Sequence, residues 1–429
     1  MRVASFLLGF LAVTLSSFAA EFPPPEGLPA HPALPDPLVM CDGSRISTKG
    51  DWAQKRAPEL RALFEHYMYG RRPEKGRVLE AGAHVSDHGA LDGAATLREY
   101  GVPLSTGGVV QLLVVTPNGK SVPVPCFLGL NFHGNHQVLA HPGIALPKSW
   151  VRPNKDGTGG QSAREEDRGR EADAWNVAQI IQRGYAFATF FQSDVVPDDA
   201  RLAEPVLRKL GGVAGDERGP ADTATIMAWA WGFSRMLDLL ERIPEVDGRR
   251  VAVVGHSRNG KTALLAAAFD ERIAMAIPSQ AGCGGTAPSR VPPELAAPRA
   301  NGRPTAETVA VINRAFPHWF CGNFKAFGEA PEKLPFDQHE LIALCAPRPV
   351  LLSCAVEDLW ANPAGQFEML KAADPVYKLV AGDGLGAATV PEAGKLLDSR
   401  LGYFIRPGRH SMNGEDWKAW LDYADKWLR

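Results

Sequence analysis

The sequence predicts an α/β fold with a doubly wound, mostly parallel sheet and helices on both faces. Two observations predict it. Strand-like apolar runs alternate with helix-like runs over most of the 429 residues, the rhythm of parallel strands joined by crossover helices. No internal repeat and no sharp composition shift divides residues 40–429, so one domain is expected there.

The elements follow in chain order. Arg2, the apolar run from Val3 to Val13 and the small residues Ser17, Ala19 and Ala20 make the three parts of a signal peptide over residues 1–20. That run is shorter than the ~20 residues a membrane span needs, so secreted or periplasmic location is expected, with no membrane attachment after cleavage. Residues 21–39 form a proline-rich arm that should lie extended over the surface, because proline blocks helix and sheet interiors. Leu60, Leu63, Phe64, Tyr67 and Met68 recur at helical spacing before the break at Gly70 and Pro73. Strands are then expected over 109–115, 124–130, 186–191, 251–254, 273–278 and 349–354. Helices are expected over 174–182, 221–240, 258–269, 364–372 and 414–428. Two stretches resist the pattern: 143–173, rich in glycine and charge, and 282–305, rich in proline, glycine and arginine. Long loops of this kind often build binding sites.

Composition narrows the function. Lys and Arg number 46 against 48 Asp and Glu, a net charge of −2, which gives no reason to expect nucleic acid or an anionic membrane as a partner. The six cysteines, Cys41, Cys126, Cys283, Cys321, Cys345 and Cys354, could pair after export, but their number does not fix a pairing. No CxxC or Cys/His cluster has ligand spacing, so no metal is expected.

The chemistry lies where the strand over 251–254 runs into Gly255-His256-Ser257 and a helix starts at once with Arg258-Asn259-Gly260-Lys261. A serine on such a turn projects its hydroxyl over the sheet edge, beside backbone N–H groups and the positive helix end. Gly255 and Gly260 let the turn close. Asn259 stands where the common Gly-x-Ser-x-Gly elbow has its second glycine. A serine nucleophile needs a histidine to take its proton and an acid to orient that histidine. The α/β-hydrolase chain order of Ser, acid, His points to Glu357 or Asp358 at a strand end, and to His410 in a glycine-containing loop before the last helix. His133, His136, His256, His318 and His339 are rival bases. His133 and His136 are also close enough to share a metal, but no carboxylate pattern beside them supports one.

The stretch from Gly255 to Lys261 resembles the nucleophile signature of the glucuronoyl esterases, carbohydrate esterase family 15. The resemblance extends over 277–285, 306–320 and 357–363 and is to the bacterial type. It implies an α/β-hydrolase fold, a monomer without cofactor, and hydrolysis of esters between (4-O-methyl-)glucuronic acid of glucuronoxylan and lignin alcohols. By the same resemblance Ser257 is the nucleophile, His410 the base, and Arg258 an oxyanion donor through side chain and backbone. Lys261, Glu307 and Trp360 contact the uronate ring. Fungal members carry the triad glutamate at the position of Gln280, here an amide grouped with the substrate-binding residues. Bacterial members place the acid two residues before the tryptophan, at Asp358. The stretch between Arg290 and Ala306 looks longer than is usual for the family. If position 280 faces His410, Gln280→Glu should restore part of the activity lost in Asp358→Asn.

An acetyl-xylan or other carbohydrate esterase on the same fold is the competing enzyme, since fold alone does not choose substrate. Lys261 with Glu307 and Trp360 favours a uronate, because a small acetyl group needs no such subsite. A non-catalytic carbohydrate-binding relative is the third reading, and Ser257, Asp358 and His410 together speak against it. Protein recovered from a host's periplasm or medium is expected to begin at Ala20 or Glu21. N-terminal mass spectrometry checks this, and Met1 on exported, membrane-bound protein would indicate an anchor instead.

Overall fold

The computed structural model describes residues 22–73, 81–105, 107–153, 162–212, 218–297, 302 and 304–429. The expected signal peptide over 1–20 lies outside them. Among the described residues no helix is long and apolar enough to cross a membrane.

Ten strands form one sheet: β1 (Ala83–Ala90), β2 (Ala95–Pro103), β3 (Val109–Pro117), β4 (Val124–Asn131), β5 (Ala186–Phe191), β6 (Val246–His256), β7 (Met275–Ser279), β8 (Val350–Ala355), β9 (Leu396–Leu397) and β10 (Leu401–Arg406). Across the sheet they run β1-β2-β3-β5-β4-β6-β7-β8-β10-β9. The inner strands from β5 to β10 are parallel. At the edges β1, β2, β3 and β9 pair antiparallel. Side chains alternate across β6, so Val251 and Val253 enter one core layer while Ala252 and Val254 enter the other. A strand buried on both faces reads as an unbroken apolar run, which is why this one is legible in the sequence.

The first layer holds the helices Thr225–Leu240, Arg258–Phe269 and Pro363–Ala381, represented in the core by Trp229, Leu264 and Phe367. The second holds Val177–Arg183 and the last helix, Gly414–Trp427, through Ile180, Trp417 and Trp420. Full burial of one such large apolar side chain stabilises by about 1.5–3 kcal/mol. The proline-rich arm lies on the first layer, where Tyr67 donates to the Pro23 carbonyl at 2.6 Å and the His339 ring meets the Pro35 carbonyl at 2.9 Å.

Several elements differ from the sequence expectation. The helix expected over 174–182 is two pieces, Ala172–Trp175 and Val177–Arg183, broken at Asn176, whose φ is 45°. The break lets Trp175 press on the sheet at Gly129, where an added Cβ would lie 2.4 Å from the indole. The helix expected over 221–240 starts at Thr225, because the Asp222 carboxylate and the Gly219 N–H close a turn at 2.7 Å just before it. The helix expected to stop at 372 runs to Ala381 through Pro375, since Ala373, Val376 and Tyr377 continue its buried face. Strands β1 and β2 and the helix Ala200–Leu210 carry no expectation. β1 is a largely exposed edge containing His84, Ser86, Asp87 and His88, with little apolar signal. All six cysteines are free thiols, five buried and Cys41 exposed.

Candidate active site

The parallel strands end at one edge, as ligand sites in open α/β sheets do. Four chain segments leave that edge together: the turn after β6 with Ser257, the loop after β7 with Gln280, the loop after β8 with Glu357 and Asp358, and the loop after β10 with His410.

Ser257 has φ 58° and ψ −125°, a backbone state that persists only where the surroundings over-determine it. Its N–H donates to the Ser279 carbonyl at 2.9 Å. A Cβ on Gly255 would sit 2.0 Å from the Asn259 carbonyl oxygen, and one on Gly260 would sit 2.8 Å from the Ser279 oxygen, so the turn closes only with glycine at both. Asn259 replaces the usual second glycine and uses its side chain, donating to the Leu130 carbonyl of β4 at 2.9 Å. The helix is thereby tied to two strands.

The His410 ring meets Asp358 Oδ2 through Nδ1 at 2.6 Å. Asp358 is buried, and its other oxygen accepts the Ala361 N–H at 3.3 Å. Glu357 instead points into solvent, paired with Arg409 at 3.3 Å. Adjacent residues of this loop thus face opposite ways, and the acid on His410 is Asp358.

A pocket of about 210 Å³ opens over Ser257, on the scale of one monosaccharide ring. Arg258, Lys261, Gln280, Glu307, Trp360 and His410 line it, with Phe316 and Trp319 as further aromatic walls. Every expected site residue is on this lining except Asp358, which stands behind His410. A larger cavity of about 670 Å³ lies under the proline-rich arm and contains none of them. None of the rival histidines is on this lining. His133 meets Glu171 at 2.7 Å, and His318 meets Asp198 at 3.0 Å. Burial pushes His136 and His339 down to about 4. His256 packs on His410 with ring centroids 4.4 Å apart.

Lys261 is buried and donates to the Ala281 and Cys283 carbonyls, each at 2.6 Å, with Glu307 Oε2 more distant at 3.4 Å. Glu307 reaches the pocket because its N–H donates to the Trp360 carbonyl at 3.0 Å and because Thr305 and Ala306 both donate to the Leu295 carbonyl. That last contact pins the base of the long 282–305 stretch. Gln280 uses its amide on the backbone of Ser411, donating from Nε2 at 2.6 Å and accepting at Oε1 at 3.1 Å.

One site residue carries no sequence signal. Asp198, after β5, is fully buried and pairs with the Arg258 guanidinium. It also accepts from Arg152 at 2.8 Å and from the Trp319 indole at 2.8 Å, and meets His318 at 3.0 Å. Arg152 comes from the 143–173 stretch, of which 154–161 lie outside the described residues. Burial alone would raise the Asp198 carboxyl, but the His318 contact, the Arg258 and Arg152 charges and the Trp319 hydrogen bond together hold it well below the usual carboxylate range. Arg258 is in turn enclosed by Trp319, Phe316 and Phe132, with ring centroids 4.6, 5.3 and 5.8 Å from its guanidinium carbon. Among the described residues no group of three or more His, Cys, Asp or Glu is placed to hold a metal ion.

With this geometry in hand, comparison with known proteins decides the family. Residues 218–381 match the family model for fungal glucuronyl esterase. Carbohydrate esterase MZ0003, from an unknown prokaryotic organism, is 41% identical over 400 residues, covering 91% of this chain and 89% of that protein. The chain belongs to carbohydrate esterase family 15. A solved family 15 esterase described as promiscuous, from a marine bacterial metagenome, is 39% identical with a TM-score of 0.83 over 94% of this chain and 99% of that one. The glucuronoyl esterase of Solibacter usitatus is 33% identical with a TM-score of 0.84 over 94% of this chain and all of that one (100%). This family 15 member is therefore an α/β hydrolase and a carboxylic ester hydrolase.

Asp198→Asn is expected to cost about 3–5 kcal/mol, the scale for leaving a buried charge unpaired. The native carboxyl is depressed, so its stabilisation is complete above the ordinary carboxylate value of about 4 and is lost as pH falls below it. Urea midpoints measured from pH 7 to pH 3 should therefore fall less steeply in Asp198→Asn than in the wild type. Parallel acid limbs would show that this carboxylate is not the one being titrated.

Proposed function

We propose that this esterase cleaves the ester between the carboxyl group of (4-O-methyl-)glucuronic acid on glucuronoxylan and an alcohol of lignin, through an acyl-enzyme on Ser257. The observation that carries the reading is the 2.6 Å contact from His410 Nδ1 to buried Asp358, with the ring on the lining of the pocket that holds Ser257. Asp358 accepts a hydrogen bond from Nδ1–H and leaves Nε2 free as the base.

Ser257 Oγ attacks the ester carbonyl as Nε2 takes its proton. The carbonyl oxygen gains the charge, beside the first-turn N–H of Arg258, which has no intrahelical acceptor, and beside the Arg258 guanidinium held by Asp198. As the tetrahedral carbon collapses, the alcohol departs with the proton from His410. Water then repeats the sequence on the acyl-enzyme and releases the uronate and Ser257. Asp358 stabilises the imidazolium in both halves.

Esterification removes the charge of the uronate carboxyl, so recognition falls to the sugar hydroxyls. Glu307 is an acceptor, Trp360 offers an aromatic face, and the Lys261 ammonium has one long, 3.4 Å contact that a hydroxyl can share. Secretion or export to the periplasm is part of the proposal, since that is where such a polymer is met.

Ser257→Ala should lose at least about a thousandfold of the rate on benzyl glucuronate, and retention of more than a tenth of it would exclude Ser257 as nucleophile. Asp358→Asn should lower kcat by about ten- to ten-thousandfold, with Glu357→Gln costing less; near-wild-type turnover in Asp358→Asn would place the acid elsewhere. Lys261→Ala should raise KM for the glucuronate ester and narrow its preference over an aryl acetate, since an unpaired polar site discriminates strongly. Unchanged selectivity between the two substrates would remove the uronate subsite.

A further inference from the structure

We propose that Gln280 is a positioning residue, whose side-chain amide fixes the backbone of Ser411 and through it the ring of His410. The proposal rests on His410 as the base and adds to that reading the device that keeps the base in place.

Apart from Gln280 and Arg406, the loop that carries His410 is held where the Gly408 carbonyl accepts the Glu357 N–H at 3.0 Å, where the Ser411 hydroxyl donates to the Arg409 carbonyl at 3.2 Å, and where the His256 ring packs on His410. Gly408 has φ 98°, and Arg409 is 88% exposed. The His410 side chain is 36% exposed, and Asp358 secures one ring nitrogen without fixing the backbone. At Ser411 the situation reverses. Its carbonyl accepts from Gln280 Nε2 at 2.6 Å and from Arg406 Nη2 at 2.7 Å, and its N–H donates to Gln280 Oε1 at 3.1 Å. Arg406 is itself locked in the core by Asp416 at 2.8 Å.

Gln280 is well suited to be the fixed end of this clamp. It is 1% exposed, and its N–H donates to the Ser353 carbonyl of β8 at 2.7 Å. Its φ is 48°, a left-handed conformation that a non-glycine residue keeps only when its neighbours impose it.

The pairing demands one donor and one acceptor in the same side chain. An amide has both, whereas a carboxylate has acceptors only and would face the Ser411 carbonyl in repulsion. A protonated carboxyl regains the donor. The charged and titratable groups around the clamp are Arg406 and Asp416 on one side, His410 and Asp358 on the other, and Lys261 with Glu307 across the pocket. Because the amide is turned to Ser411, a carboxylate at position 280 does not replace Asp358. The rescue expected from the sequence for Gln280→Glu in an Asp358→Asn background should therefore not occur.

Two variants of the full-length mature enzyme test this, with kcat and KM on benzyl glucuronate and melting temperature as the fold check. Gln280→Met keeps the volume and removes the pairing; kcat should fall about ten- to hundredfold, the scale of a small misplacement of a reacting group, with KM within about twofold. Gln280→Glu is isosteric and serves even if Gln280→Met does not fold. Its kcat relative to wild type should rise as pH falls from 8 to 5.5, because protonation restores the donor. A raised KM with unchanged kcat would make Gln280 a substrate contact and overturn the proposal. So would unchanged constants in Gln280→Met, or a pH-independent ratio in Gln280→Glu. His410→Ala separates the two levels: if it stays active the base assignment fails, and if it is inactive while Gln280 fails these tests, only the clamp is lost.

Discussion

The site depends on how closely the helix Arg258–Phe269 approaches the strand that feeds it. At Gly255 the Asn259 carbonyl comes so near that a Cβ would lie 2.0 Å from its oxygen. That approach forces Ser257 into positive φ and turns its hydroxyl out over the sheet edge. It also aims the helix's first N–H groups at the same space. Asn259, by reaching the Leu130 carbonyl, holds the helix to β4, and Gly260 lets it sit against the end of β7. The Ser257 end of the site is therefore set by backbone packing, and the remaining residues are brought to it by the neighbouring strands.

A second constraint is the burial of charge. Arg258, Lys261, Glu307, Asp198, Arg406 and Asp416 are all withdrawn from solvent at or beside one edge of the sheet, and each has a partner of opposite sign. Such pairs bring little net stability, because desolvation offsets the attraction. What they supply here is position. Asp198 collects Arg258, Arg152 and the adjacent pair His318 and Trp319 from three separate segments, so the guanidinium beside Ser257 has one orientation. Lys261 braces the 281–283 backbone against Glu307. Arg406 and Asp416 hold the last helix and the histidine loop together. Preorganised charge of this kind can act on a developing oxyanion with little reorganisation.

Local signals carry the elements and the turn at Ser257. The apolar run of β6, the glycines at 255 and 260 and the helix start at Arg258 lie within a dozen residues, so periodicity and turn chemistry identify them without knowledge of distant neighbours. The chain order of Ser257, an acid at Glu357 or Asp358, and His410 is legible in the same way, from strand ends and the last helix. Edge strand β1 is not legible, because a largely exposed polar strand has no apolar run to mark it, and its neighbour β2 is largely buried but interrupted by Arg98, Glu99 and Gly101. The break at Asn176 is also hidden, since it exists to seat Trp175 on Gly129, which is 46 positions earlier in the chain.

The sequence by itself determined the layered α/β architecture, the strand-turn-helix around Ser257, and a short set of residues able to form the site. Tertiary structure alone decided which acid faces His410, because Glu357 and Asp358 are adjacent and only the packing of their loop turns one outward and buries the other. It alone revealed Asp198, whose importance comes from partners 46 to 121 positions away. It alone turned the Gln280 amide onto Ser411. The physical reason is common to all three: a side chain's neighbours across a fold are set by how strands and loops stack in space, and that information is carried by no short stretch of chain.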